Sequence, residues 1–297
     1  MPDRKRKTIM LMIEGSEPNQ VQARLVSSCL ALAQYVSADL EILVPNVHCW
    51  PDAQIFTRLK PKSPFRLKVT ALSDDASLFD EVKSEIQASE PMLFVLDRNH
   101  IIEKRTKQRR LFIQGVLSEI PVPILVLMCR RNELKVPFLS LFVPMSGEVK
   151  SSPALEWSIA FANEMNLPVD LLHVTHQLKR SSYDPSLLGT LCDGLYQEYP
   201  YLISEFIAQG SPYSSMHEKQ VIRHFIHSTG LELEEIIKRG RQQTRPLVVI
   251  EWKGNLEKGR AAVLKGILAQ TCWPVLLTKQ KASEGTQLHN LKNVRAA

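Results

Sequence analysis

Short continuous apolar runs alternate with amphipathic stretches along this chain, and the whole alternation occurs twice. In the first half, Thr8–Ile13, Leu40–Val44, Leu67–Leu72, Met92–Leu96 and Val122–Met128 read as buried strands. Between the first two, Gln20–Ser37 sets Val21, Leu25, Cys29, Leu32 and Val36 at spacings of three and four, the stripe of a helix with one apolar face. Asp74 or Asp75 can cap a helix running to about Ala88, and another is expected near Arg110–Ser118. Apolar strands without a polar face, separated by helices, make a parallel sheet covered on both sides.

The second half repeats the order. Phe138–Val143, Val169–Val174, Val221–Ile226, Leu247–Glu251 and Val275–Thr278 read as strands, with helices at Pro153–Met165, Leu231–Arg239 and Gly259–Gln270. The expected fold is α/β: two doubly wound, Rossmann-like domains in tandem, each with a five-stranded parallel sheet, forming an internal pseudo-dimer. A chain of 297 residues suits two domains of about 150 each. Their expected bounds are 1–130 and 131–280, the second carrying a helical insertion at 181–210 that either covers its core or offers a further partner-binding face, followed by a polar tail at 281–297. The terminal strands Val122–Met128 and Val275–Thr278 would leave apolar sheet edges open to association.

Composition closes off several classes. The longest apolar runs fall far short of the ~20 residues that cross a bilayer, so no membrane span is expected. Thr8–Ile13 is too short for a signal-peptide core, and five scattered cysteines without a C-x-x-C pair argue against a disulfide framework or zinc site. A reducing cytoplasm is the expected compartment. The net charge of +6 is modest; its local concentrations are Lys104–Arg110 and Arg130–Arg131.

The two strand–turn–helix openings are Ile13-Glu14-Gly15-Ser16-Glu17 and Val143-Pro144-Met145-Ser146-Gly147, and the halves end in Val122-Pro123-Ile124-Leu125-Val126 and Trp273-Pro274-Val275-Leu276-Leu277. In these features the chain resembles the universal stress protein family over nearly its whole length, twice. The resemblance implies a stress-response or regulatory binding role, pairing of Val122–Met128 with Val275–Thr278 within the chain as the family's final strands pair between domains, and adenine nucleotide, ATP above all, as the cofactor to look for. Nucleotide-binding members carry Gly, two residues, Gly, nine residues, then Gly-Ser or Gly-Thr after the fourth strand, because backbone amides must approach phosphate closely. The first copy reads Asp97-Arg98-Asn99-His100 there, with no glycine before Gly115; the second has Gly254 and Gly259 too far apart, and Ala261-Ala262 in place of Gly-Ser. Phosphate cradling is therefore expected to be weak, limited to the second domain, or lost.

The candidate nucleotide contacts are Ser146, Gly147, Lys253, Gly254, Lys258, Gly259 and Arg260 in the second domain, with Glu14, Arg98 and Arg110 in the first. Arginines can stand in for lost amides because the guanidinium fork suits phosphate. Glu14 takes the family's Asp place, and Ser16, Ser146 and Ser151 read as turn and cap residues. No catalytic residue and no metal centre is expected: on one strand, His224 and His227 point to opposite faces, and His173 with His176 face the same difficulty. His48-Cys49 lacks an orienting third residue. Two alternatives stay open: an ATP-binding protein with slow ATPase activity, and an interaction module docking an acidic protein partner, a membrane surface or, less favoured, nucleic acid. Association into a homodimer is also left open.

Overall fold

The computed structural model describes residues 7–13, 20–45, 66–72, 78–102, 107–128, 138–145, 153–175, 221–252 and 261–279. These form two compact units, one of Met1–Leu139 with Trp252–Lys279 and one of Ser140–Glu251 with Gln280–Ala297. The α/β expectation of a mostly parallel sheet with intervening helices holds, and the last strand read for the second domain groups with the first unit.

In the first unit, β1 (Thr8–Met12), α1 (Gln20–Tyr35), β2 (Asp39–Pro45), β3 (Leu67–Leu72), α2 (Leu78–Ser89), β4 (Leu93–Asp97), the single turn α3 (Asn99–Ile102), α4 (Lys107–Glu119) and β5 (Ile124–Leu127) follow in order. The strands lie β3-β2-β1-β4-β5, all parallel. Their apolar runs are legible because both faces are covered: Ile9 to Met12, Leu93 to Leu96 and Ile124 to Leu127 are all buried. On α1 the buried stripe is Leu25, Cys29, Leu32 and Val36, whereas Val21 is exposed in the first turn. Gly115 on α4 permits close approach to α2, since a Cβ there would meet Phe79 at 3.0 Å.

Late in the chain, α7 (Ala262–Gln270) and β10 (Val275–Lys279) belong to this unit. β10 runs antiparallel along β5, Val275 opposite Val126 and Leu277 opposite Ile124. Three side-chain hydrogen bonds join late and early residues of this unit. The Trp252 indole donates to the Leu117 carbonyl at 2.9 Å, and Lys279 Nζ donates to the Ile120 carbonyl. Both acceptors sit at the C-terminal end of α4, where helical carbonyls lack intrahelical donors. Arg98 donates to the Thr271 carbonyl at 2.9 Å, at the C-terminal end of α7.

The second unit holds β6 (Ser140–Met145), α5 (Pro153–Met165), β7 (Val169–Thr175), β8 (Ile222–Thr229), α6 (Glu232–Gly240) and β9 (Pro246–Trp252), of which Trp252 counts with the first unit. Its strands lie β9-β6-β7-β8, parallel throughout. The inserted segment expected at 181–210 lies outside the described residues. No described helix is long and apolar enough to cross a membrane.

Candidate functional site

In open parallel sheets ligands bind past the carboxyl ends of strands where the order reverses. In the first unit that point lies between β1 and β4, and β4 runs directly into Arg98. Asp97 Oδ1 accepts from the Asn99 amide at 2.8 Å, which turns the chain into α3, and the Arg98 carbonyl accepts from the Ile101 amide at 2.9 Å. The Arg98 side chain is only 8% exposed and is turned inward: beyond its bond to Thr271, its guanidinium rests against the Met128 sulfur. A cation at a helix C-terminus is electrostatically favoured. His100, also buried, is held neutral: burial, helped by the positive charge of Arg109, pulls its pKa down to about 4. Arg110 is exposed in the first turn of α4 beside exposed Arg109. Arg98 and Arg110 are thus not brought to one surface.

The remaining sequence candidates, Glu14, Ser146, Gly147, Lys253, Gly254, Lys258, Gly259 and Arg260, lie outside the described residues, as do Ser16, Ser151, His48, Cys49 and His176. Their neighbours are placed: Met145 ends β6 and Trp252 ends β9.

Sequence reasoning missed two buried carboxylates inside strands, one per unit. Glu41 on β2 accepts from Thr70 Oγ1 at 2.9 Å, from Ser89 Oγ at 2.8 Å and from Lys68 Nζ at 2.5 Å. Burial pushes its pKa up, but the hydrogen bonds from Lys68, Ser89 and Thr70 outweigh that, and the net shift is downward. Asp170 on β7 is fully buried; its Oδ1 faces Arg223 Nε at 3.1 Å and His224 Nδ1 at 2.9 Å, and its Oδ2 takes Arg223 Nη2. A β-bulge makes this double contact possible. Val169 pairs with Ile222 but Asp170 with His224, so Arg223 is the extra residue and two successive side chains reach one carboxylate. Arg223 Nη2 also donates to Gln243 Oε1 at 3.0 Å, tying the loop after α6 to β8. The signal that could have found both sites was an acidic residue inside an apolar strand, since such a charge must be paired.

His173 and His227 form a further grouping. They are opposite one another on β7 and β8, their rings edge to face with centroids 5.4 Å apart. Burial lowers both pKa values, and the neighbouring His227 lowers that of His173 further. The sequence reading paired histidines along a strand; the sheet pairs them across strands. Among the described residues no group of three or more His, Cys, Asp or Glu is placed to hold a metal ion.

No protein-family model and no curated protein sequence matches the chain. Solved structures do. A functionally unknown protein from Pseudomonas aeruginosa PAO1 is 15% identical with a TM-score of 0.59, over 97% of this chain and 95% of that one. A candidate universal stress protein from Pseudomonas aeruginosa UCBPP-PA14 gives 14% and 0.57 over 92% and 93%. A universal stress protein from Archaeoglobus fulgidus DSM 4304 gives 11% and 0.52 over 93% and 97%. The chain therefore shares the fold of universal stress proteins along nearly its entire length.

Proposed function

We propose that this chain is a tandem regulatory binding protein of the universal stress type, acting by association rather than catalysis, with nucleotide affinity weak, confined to the second unit, or lost. Arg98 carries the reading. At the end of β4, where a phosphate loop would stand, the side chain best suited to replace missing glycines is buried and committed to the Thr271 carbonyl. The fold shared with universal stress proteins supports the stress-response assignment. Equilibrium binding of fluorescent ATP and AMP tests it: the expected result is at most one site, weaker than micromolar. Micromolar binding at two sites per chain would overturn it, and phosphate release above the buffer rate would favour the ATPase alternative.

The first turn of α4 favours a second reading, docking of an acidic partner. That turn carries no acidic residue, and Arg109 and Arg110 are exposed at the helix end where cations are disfavoured. An anionic partner would relieve this arrangement. Capture of an acidic polypeptide that weakens steeply with salt, and weakens again in Arg109→Ala/Arg110→Ala, is the expected outcome; salt-insensitive capture would remove the reading.

A further inference from the structure

We propose that His173 and His227 together bind a divalent transition-metal ion of the zinc type, each imidazole supplying one ligand. Adjacent strands fix the pair, so no loop has to fold to assemble it: His173 and His227 are direct partners in the β7–β8 ladder and share one face of the sheet. An imidazole nitrogen binds zinc at about 2.0–2.1 Å, which puts each ring centroid roughly 3 Å from the ion and the centroids of two tetrahedral ligands about 5 Å apart. The observed centroid separation is 5.4 Å. Small ring rotations from the edge-to-face packing would therefore aim both nitrogens at one ion.

The surroundings agree. Both side chains are partly exposed, so an ion has access. Neutral nitrogen donors without a carboxylate select zinc, copper or nickel over magnesium or calcium. His224, also on β8, faces Asp170 instead and serves as an internal control.

The test is calorimetric titration of the full chain with zinc chloride, repeated with copper(II) and with millimolar magnesium as competitor. The expected result is saturable zinc binding, tighter for copper, indifferent to magnesium, weakened at least tenfold in His173→Ala and in His227→Ala, and unchanged in His224→Ala. Should an alanine variant fail to fold, electron paramagnetic resonance of the copper-loaded wild type decides through the number of nitrogen donors, two being expected. Wild-type affinity in His173→Ala/His227→Ala, a single nitrogen donor, or no zinc bound at millimolar concentration would overturn the proposal.

Discussion

Glu41 and Asp170 hold the same register position in the two units. Glu41 lies opposite Met10 of β1, which faces Phe94 of β4 on its other side; Asp170 lies opposite Phe142 of β6, which faces Val248 of β9. Each is a buried acid on the second strand, and each takes a cation from the third: Lys68 for Glu41, Arg223 for Asp170. The partners on the following helix side also correspond, Ser89 at the end of α2 and, through Arg223, Gln243 just after α6. The strand order alone would permit an apolar residue at both places. That both carry an acid gives each outer strand a fixed register, because a slip would strand the charge.

Removing one partner should cost more than removing both. Arg223→Ala leaves Asp170 buried with only His224 beside it, and about 2 kcal/mol or more of stability should be lost. Asp170→Leu/Arg223→Leu, which leaves no buried charge, should recover most of that loss. Urea unfolding of the single and double variants measures the difference; equal losses in both would mean that the ion pair does not fix the strand.

Acid stability should fall in two windows. His100 has a folded pKa of about 4 against an ordinary 6.5, so between those values the unfolded chain binds the extra proton and stability drops as pH falls. Glu41 has a lowered pKa, so its contribution is present above 4.5 and disappears as pH falls through the folded value. His100→Leu should make the fall of the unfolding midpoint between pH 6.5 and 4 shallower, His173 and His227 supplying the remainder because their pKa values are lowered too, while leaving the decline due to Glu41 below it. A His100→Leu profile parallel to wild type would contradict this.

Much of the fold is legible in the sequence for a physical reason: strands buried on both faces are written as unbroken apolar runs, and Ile124–Leu127 or Leu93–Leu96 admit no other reading at that length. Val21 misled because a first-turn residue can follow the helical spacing and still point to solvent. The paired sites were harder. Glu41 with Lys68, Asp170 with Arg223 and His173 with His227 join residues on different strands, and the bulge at Arg223 shifts register by one, which periodicity does not encode. Arg98 was legible as a cation near a strand end, but its direction was set by the carbonyl of Thr271, far along the chain.

On the alkaline side, Lys279 should act in the opposite sense to an exposed lysine. Burial, opposed in part by Glu119, brings its pKa down to about 8 from 10.5. Between those values the unfolded chain holds the extra proton, so stability should rise with pH. Lys279→Met should remove that rise, as seen in urea midpoints from pH 8 to 10; persistence of the rise would assign it to another group.

The last prediction separates a structural Arg98 from a phosphate-binding one. Arg98→Ala removes a charged donor from the Thr271 carbonyl and should cost about 2 kcal/mol, because charged hydrogen bonds contribute ~1.5–3 kcal/mol. Trp252→Phe removes a neutral donor from the Leu117 carbonyl and should cost about 1 kcal/mol. Arg98→Ala loosens the attachment of α7 and Trp252→Phe that of the end of β9, so limited proteolysis should be faster in either variant than in wild type. If Arg98 were instead a phosphate ligand, Arg98→Ala would lower nucleotide affinity while leaving stability and the protease pattern as in wild type. Arg98→Lys sharpens the distinction: a lysine can still attract phosphate as a point charge, but its shorter reach and single nitrogen would not restore the bond to Thr271. Nucleotide affinity retained in Arg98→Lys but lost in Arg98→Ala, with both variants as stable as wild type, would therefore reject the structural assignment.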